Sequence, residues 1–297
     1  MNKILLASTA LVLSAGLAHA QAVTITGEGR MGIQYDEAGF GTSEWRQENR
    51  LTLNFNVSVE ADHGLTFGAW SRARMQVLSD GTAGAGLFSG SRVWVESNGL
   101  KLTFGNQDGA IRGAGVAMGY AGGCGVGYEG GYLCLDAAGL LGVSQGQNST
   151  GSDDEPMVRI DYTMGSTRVA LSHARDGATE FGIRSTFDAF TVAAGYTNGG
   201  AGASSYTISG RYNGGSWGAA LLLARIGGAT TNWSLQGNVA LGGGNVYGFV
   251  GEVSNATVYG LNYGYGLGGG ATVMAGVEHT ELGAGRTTAS VGVAFTF

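Results

Sequence analysis

Four arginines near the N-terminal end of the chain are spaced so that their charges could act together. Arg30, Arg50, Arg72 and Arg74 alternate with apolar or small residues, so in an extended chain all four share the polar face. A guanidinium group stays charged when it is crowded, and its planar set of donors can be held by carboxylates. The chemistry that this pattern predicts is electrostatic and does not involve making or breaking bonds.

A long glycine-rich segment, residues 106–156, carries carboxylates that could face these arginines. If the segment folds towards them across a water-filled space, the opposite charges would create an electric field across that space, which would act on any ion passing through it. The residues of the segment that could line the narrowest part of such a space are Asp108, Glu129 and Asp136. The alternative is that each arginine only pairs with a neighbouring acid, such as Glu28 or Glu48.

The patterns typical of enzymes receive no support from their surroundings. Residues 27–32 fit G-x-G-x-x-G, but a dinucleotide site needs a strand before this motif and a helix after it. Here a period of two runs straight through the glycines. Beyond the first twenty residues the histidines are His63, His173 and His279, and no serine motif lies beside them. The sequence therefore predicts that the chain is not an enzyme.

The first twenty residues are predicted to be a secretory signal peptide. Lys3 precedes an apolar stretch, and Ala18-His19-Ala20 is typical of a cleavage site before Gln21. An exported protein folds where disulfides persist, so Cys124 and Cys134 are expected to form a disulfide. Zinc binding is less favoured, because no histidine lies near these cysteines.

The composition excludes several classes of protein. Of the 297 residues, 57 are glycine, one is proline and only 13% are charged. Collagen needs proline and a strict glycine period, and disordered chains are less hydrophobic than this one, at 43%. The net charge of −6 argues against a nucleic-acid partner. No apolar run after the signal is long enough for a transmembrane helix.

Apolar residues recur at every second position over most of residues 21–297, which predicts strands. Sixteen such segments can be counted, including apolar sets at Leu51–Val59, at Tyr247, Phe249 and Val253, and at Ala289–Phe297. Short turns rich in Gly, Asn and Asp alternate with longer connections.

An even number of strands with an apolar and a polar face is typical of a transmembrane antiparallel β-barrel. The apolar face would contact lipid and the polar face would line water, and sixteen strands leave room for an aqueous lumen. Aromatic residues near strand ends would form girdles at the membrane interfaces: Tyr35, Tyr196, Tyr212 and Tyr265. This interpretation places the protein in the outer membrane of a Gram-negative bacterium.

The chain resembles the general-diffusion porins of the outer membrane, and within them the short porins of purple non-sulfur alphaproteobacteria. The resemblance rests on the signal peptide and on three stretches: AVTITGEGRMGIQYD, RVWVESNGLKLTFGNQDGA before the long segment, and the terminal VGVAFTF. It implies a trimer of sixteen-stranded barrels, with the third external loop, here residues 106–156, folded into each pore. The cysteine pair and the short later loops depart from the family pattern.

Further partners follow from this resemblance. Phe297 at the terminus resembles the recognition signal of the outer-membrane assembly machinery. The family also suggests calcium, for which Asp153, Asp154 and Glu155 offer hard oxygen ligands, although three adjacent acids can simply be solvated. No other cofactor is expected.

Close packing between barrels is favoured by small residues that would face outward: Gly27, Gly29, Ala69, Ser71 and Ala73.

The sequence therefore predicts a water-filled channel for passive diffusion of small hydrophilic solutes and ions. A barrel whose lumen is plugged by the long segment, acting structurally, is one alternative. An outer-membrane hydrolase is another. The preferred solute, the sign of ion selectivity and the open diameter do not follow from the sequence.

Overall fold

The structure is a computed structural model that describes residues 22–41, 43–77, 83–88, 90–116, 157–199, 203–228 and 230–297. Strands dominate the described residues, and their bounds are β1 Ala22–Asp36, β2 Trp45–Ala61, β3 Leu65–Val77, β4 Ala83–Phe88, β5 Arg92–Ser97, β6 Leu100–Gly105, β7 Met157–Met164, β8 Thr167–Ala174, β9 Thr179–Phe187, β10 Phe190–Thr197, β11 Ser205–Asn213, β12 Trp217–Ile226, β13 Thr231–Leu241, β14 Gly244–Val253, β15 Ala256–Gly268, β16 Ala271–Thr280 and β17 Arg286–Thr296. A short helix, α1, spans Ala110–Ala114, and a 3₁₀ turn spans Asp62–Gly64. None of the described helices is long and apolar enough to cross a membrane.

The strands form a closed antiparallel barrel. Apart from β4 and β5, each strand pairs with its neighbours along the chain, and β1 pairs with both β2 and β17. Both β4 and β5 pair with β3, β4 at one end and β5 at the other, so together they form a single wall strand. The wall therefore has sixteen strands, as the sequence predicts.

Apolar side chains cover the outside of the barrel and polar side chains line the inside. Outward residues such as Ile25 and Leu261 are 56% exposed, whereas inward ones such as Thr52 and Gln236 are buried. A soluble barrel would show the opposite arrangement, with an apolar interior. The outward face therefore suits lipid, because it is apolar and the described strands are paired in a closed ladder.

The connections differ between the two ends of the barrel. At one end, which we call the short-turn end, the turns are two or three residues long, and several carry left-handed residues such as Asn98 and Asp188. Both chain termini of the barrel lie at this end. The other end, the loop end, carries residues 106–156, but its later connections are also short. Ser254 and Asn255 make a two-residue hairpin there with φ values of 54° and 66°, as a mirror-image turn requires.

For β14, the prediction of which side chains point outward was wrong. Tyr247, Phe249 and Val253 point into the barrel and are buried, although the sequence pattern assigned them to the lipid side. Both faces of this strand carry apolar residues, so the period of two does not distinguish them. The inward arrangement is favoured because the Phe249 ring covers Gly260, its direct cross-strand partner on β15.

Two glycines at the seam between β1 and β17 have a role different from the predicted one. Gly29 pairs with Phe295, and the backbone of Gly27 exchanges hydrogen bonds of 2.9 and 3.1 Å with Phe297. The two phenyl rings lie over these glycines on the outer face, so a methyl group at either position would overlap a ring. The glycines are therefore already buried by their own chain and are not a free surface for a second barrel.

We expect the substitution Gly29→Ala to destabilise the barrel by about 1–3 kcal/mol, because the added methyl group forces the Phe295 ring to move. Gly210→Ala is the matched control. Gly210 is also an outward strand glycine, but no atom lies within 4 Å of the added carbon, so this change should be neutral or slightly stabilising. Denaturant unfolding in lipid vesicles measures both. Equal stabilities of the two variants would contradict the proposed seam packing.

Candidate functional site

The four predicted arginines lie together on the inner face of β1, β2 and β3, and we call them the arginine wall. Arg30 is directly opposite Arg50 across the first strand pair. Arg72 and Arg74 on β3 are opposite Asn54 and Thr52 of β2. Like charges at directly opposed strand positions are unfavourable on their own, so the cluster needs compensation or a function.

Glu28 supplies part of this compensation. Its Oε2 lies 3.3 Å from Nη2 of Arg30, and its Oε1 lies 3.8 Å from Nε of Arg50. The Thr52 hydroxyl donates to Glu28 at 3.4 Å and accepts from Nε of Arg74 at 3.1 Å. The alternative predicted from the sequence, local pairing with Glu28, therefore applies to two of the arginines. Glu28 acts electrostatically on all four guanidinium groups, and these five residues by themselves carry an excess of positive charge.

A buried tryptophan organises the next part of the wall. The Trp70 ring has the guanidinium carbon of Arg92 at 3.9 Å from its centroid and that of Arg72 at 5.8 Å. Both cations are stabilised by the ring electrons, and the planar contacts restrict where they can move. Arg92 extends the basic surface onto β5. The sequence reasoning missed it, although its inward position follows from the same alternation, since Val93 and Val95 face out.

The start of the long segment is attached to the opposite inner wall. In α1 the amide N–H of Ala110 donates to Oγ of Ser172 at 2.8 Å, and that of Ile111 donates to Oε2 of Glu180 at 3.2 Å. These bonds satisfy two of the amides that a helix start leaves without partners. Both acceptors point inward, from β8 and β9. We call α1 and these two acceptors the loop anchor.

Apolar packing supports the loop anchor. Ala110, Ile111, Ala114 and Val116 bury themselves against small inward residues of three strands, namely Ala170, Ala193 and Ala224. Gly182 lets the helix approach, because a Cβ there would overlap the Ala110 carbonyl. The Ser209 hydroxyl on β11 then donates to the Val116 carbonyl at 2.9 Å. Residues 106–116 therefore follow the inner face of the barrel from β6 to β11.

Asp108 lies between the loop anchor and the basic surface. It interacts electrostatically with Arg112, Arg159, Arg92 and Arg72, and its carbonyl accepts a 2.6 Å bond from Nη1 of Arg159. Burial raises the pKa of the Asp108 carboxyl, and the four guanidinium groups only partly offset this rise. Its negative charge is therefore lost at a higher pH than that of an ordinary aspartate as the solution is acidified.

The structure thus brings five of the predicted site residues into one region: Arg30, Arg50, Arg72, Arg74 and Asp108. The other predicted residues lie outside the described residues, and their roles stay predictions: Glu129, Asp136, the calcium candidates Asp153, Asp154 and Glu155, and the cysteines Cys124 and Cys134. Sequence reasoning missed Arg92, Arg112 and Arg159, and it also missed the anchoring pair Ser172 and Glu180. The alternation of inward and outward positions could have identified Arg92 and Arg159. No local signal in the sequence marks Arg112, Ser172 or Glu180.

The histidines lie far from this region and from one another. His63 is in the 3₁₀ turn at the short-turn end, while His173 and His279 are on the outer face near the loop end. Nδ1 of His173 lies 2.9 Å from the Thr179 hydroxyl, and Nδ1 of His279 lies 2.8 Å from that of Thr287. No described acid or serine completes a catalytic arrangement with any of them.

Comparison with known proteins identifies the family. The family model described as Gram-negative porin matches residues 7–285. The chain is 28% identical over 303 residues to a porin of Fuscovulum blasticum and 25% identical over 321 residues to a porin of Rhodobacter capsulatus; each comparison covers 93% of this chain and the whole relative. A solved variant of Rhodopseudomonas blastica porin superposes with a TM-score of 0.80 at 26% identity, over 93% of this chain and all of that one. The chain therefore belongs to the Gram-negative porin family, and it is a diffusion channel of the outer membrane.

Proposed function

We propose that this channel passes small hydrophilic solutes and is narrowed where residues 106–116 face the arginine wall, so that anions are favoured over cations. The observation that carries the proposal is the loop anchor. It fixes one side of the passage on β8 and β9, while the arginine wall occupies β1 to β3. A passing ion must then move through the region between these groups.

The sign of the selectivity follows from the described charges. Arg30, Arg50, Arg72 and Arg74 are offset by Glu28, and Arg92, Arg112 and Arg159 surround the carboxylate of Asp108. Among the residues that the structure describes, cations therefore outnumber carboxylates at this level of the lumen. In a water-filled passage such an excess raises the local concentration of anions.

The remaining expectations belong to this proposal. Assembly into a trimer is supported by the family and by small outward residues on β3, Ala69 and Ser71, whereas the outward Ala73 is buried beside Phe88 of β4. The seam glycines no longer support it, because the phenyl rings cover them.

Contact with outer-membrane lipid fits the exposed apolar face, and recognition by the assembly machinery would use Phe297, which is 58% exposed. The disulfide and the calcium site stay proposals that rest on residues outside the described ranges.

Reconstitution tests the proposed function. Planar bilayers containing the purified protein should show stepwise conductance, and vesicles containing it should swell in small sugars but not in large ones. A salt gradient should give a reversal potential of the sign expected for anions. A folded barrel without conductance would favour the plugged, structural alternative. Vesicles prepared with detergent alone provide the baseline.

A further inference from the structure

A second group of arginines lines the lumen at the short-turn end. Arg168, Arg184 and Arg211 lie on β8, β9 and β11, and we call them the mouth cluster. Each is two to four residues from a short turn, at Gly165-Ser166, Asp188-Ala189 or Asn213–Gly215. All three side chains point into the lumen, because the residues next to them in the sequence, Val169, Ile183 and Tyr212, point outward.

The register brings these charges close together. Arg168 is directly opposite Arg184, and Arg184 interacts electrostatically with both Arg168 and Arg211. Directly opposed like charges destabilise a strand pair, so this arrangement does not contribute to barrel stability. Like charges at directly opposed strand positions are expected mainly at functional sites, where they serve a role other than stability.

Among the described residues, Asp161 on β7 offsets the charge of Arg168 only in part, because it is shared with Arg159. The two carboxylate oxygens of Asp161 bind Nε of Arg159 at 2.8 Å and Nη2 of Arg168 at 3.0 Å. One carboxylate therefore serves two guanidinium groups, and Arg184 and Arg211 add further positive charge beside them. The described side chains that act electrostatically on Arg184 are both arginines.

The mouth cluster is separate from the arginine wall. Arg72 and Arg74 lie eight to ten residues along β3 from its short-turn end, and the strands carrying the mouth cluster lie on the other side of the barrel. At about 3.3 Å per residue and a strand tilt near 40°, the difference in level is roughly 15 Å. This exceeds the Debye length of about 8 Å at physiological salt, so the two groups act on ions independently.

We infer that Arg168, Arg184 and Arg211 form an anion-binding site inside the short-turn mouth of the channel, and that the site takes oxyanions with two or more negative charges. Guanidinium groups bind such oxygens through paired, charge-assisted hydrogen bonds, so the directly opposed Arg168 and Arg184, with Arg211 one strand further on beyond β10, can divide the charge of one phosphate-like group. A chloride ion makes no such paired contacts, so the site should distinguish oxyanions from simple halides. The inference extends the proposed function, because it assumes an open lumen.

Block of chloride current by inorganic pyrophosphate tests the site. In bilayers with the channels inserted in one orientation, pyrophosphate should reduce the current at lower concentration from one side than from the other. The double variant Arg184→Gln/Arg211→Gln should raise the half-blocking concentration from the sensitive side by about tenfold or more, because the charge-assisted bonds are lost.

Two controls separate this site from general charge effects. Arg225→Gln removes a positive charge from the outer face near the loop end, and Lys101→Gln removes one that is paired with Glu96 at 3.2 Å inside the short-turn end. Neither change should alter the block appreciably. The inference is wrong if pyrophosphate blocks equally from both sides, or if the double variant blocks as the original does. Failure of the proposed function would look different, since no chloride current would then be measured at all.

Discussion

Replacing Arg72 and Arg74 together by glutamine is expected to shift the reversal potential towards cations and to lower the ratio of chloride to potassium permeability by about thirtyfold at low salt. Each charge, about 8 Å from a passing ion in water, stabilises chloride and destabilises potassium by roughly 0.5 kcal/mol each, so the two charges together shift the ratio by about 2 kcal/mol. Glutamine keeps a similar length and can still donate to the Thr52 hydroxyl that Arg74 contacts at 3.1 Å. A salt gradient across a planar bilayer gives the measurement.

The salt dependence makes this prediction specific. Screening shortens the range of the two charges from about 30 Å at 0.01 M salt to about 8 Å at physiological salt, so the shift should shrink as salt is added. Arg225→Gln serves as the control, because this outward side chain lies outside the lumen and its loss should leave the reversal potential unchanged. If the double variant kept its selectivity at every salt concentration, the arginine wall would be structural and selection would occur elsewhere.

The architecture could be predicted from the sequence because a barrel wall repeats one simple pattern. Each strand alternates between lipid and water, and the turns between strands need residues that tolerate left-handed backbone. Strand number, polar interior, membrane location and family are therefore confirmed by the structure and by the comparisons. The alternation failed on β14, where residues of both parities are apolar and the inward choice depends on a glycine of the neighbouring strand, Gly260.

The site was harder to predict, because its geometry comes from contacts between distant parts of the chain. Arg72 and Arg74 could be identified from the alternation of inward and outward positions alone. The acceptors for α1, Ser172 and Glu180, lie more than sixty residues from the amides they bind, and nothing in their local sequence distinguishes them from other inward polar residues. The two seam glycines illustrate the same limit. Their small size could be predicted to allow close packing, but the packing partner is the C-terminal strand of the same barrel.

Deleting residues 113–151 is expected to raise the single-channel conductance, by a factor on the order of two, since current grows with the open cross-section. The barrel should still close. Gly105 at the end of β6 pairs directly with Met157 at the start of β7, so the twelve loop residues left between them are ample for the connection. The backbone ladder of the wall does not depend on the deleted segment. The deletion should also weaken size exclusion, so that vesicles swell in larger sugars.

A smaller change can attribute this effect to the loop anchor. The variant Ser172→Ala with Glu180→Gln removes the hydroxyl and the charge that bind the first amides of α1, while the segment keeps its full length. If the anchor holds the segment against the wall, this variant should show conductance between those of the original and the deletion, with more fluctuation of the open current. Heat-resistant migration on gels would establish that all three barrels are folded. A folded deletion variant with unchanged conductance would mean that residues 113–151 do not narrow the channel, and the selectivity would then depend on charges outside that segment.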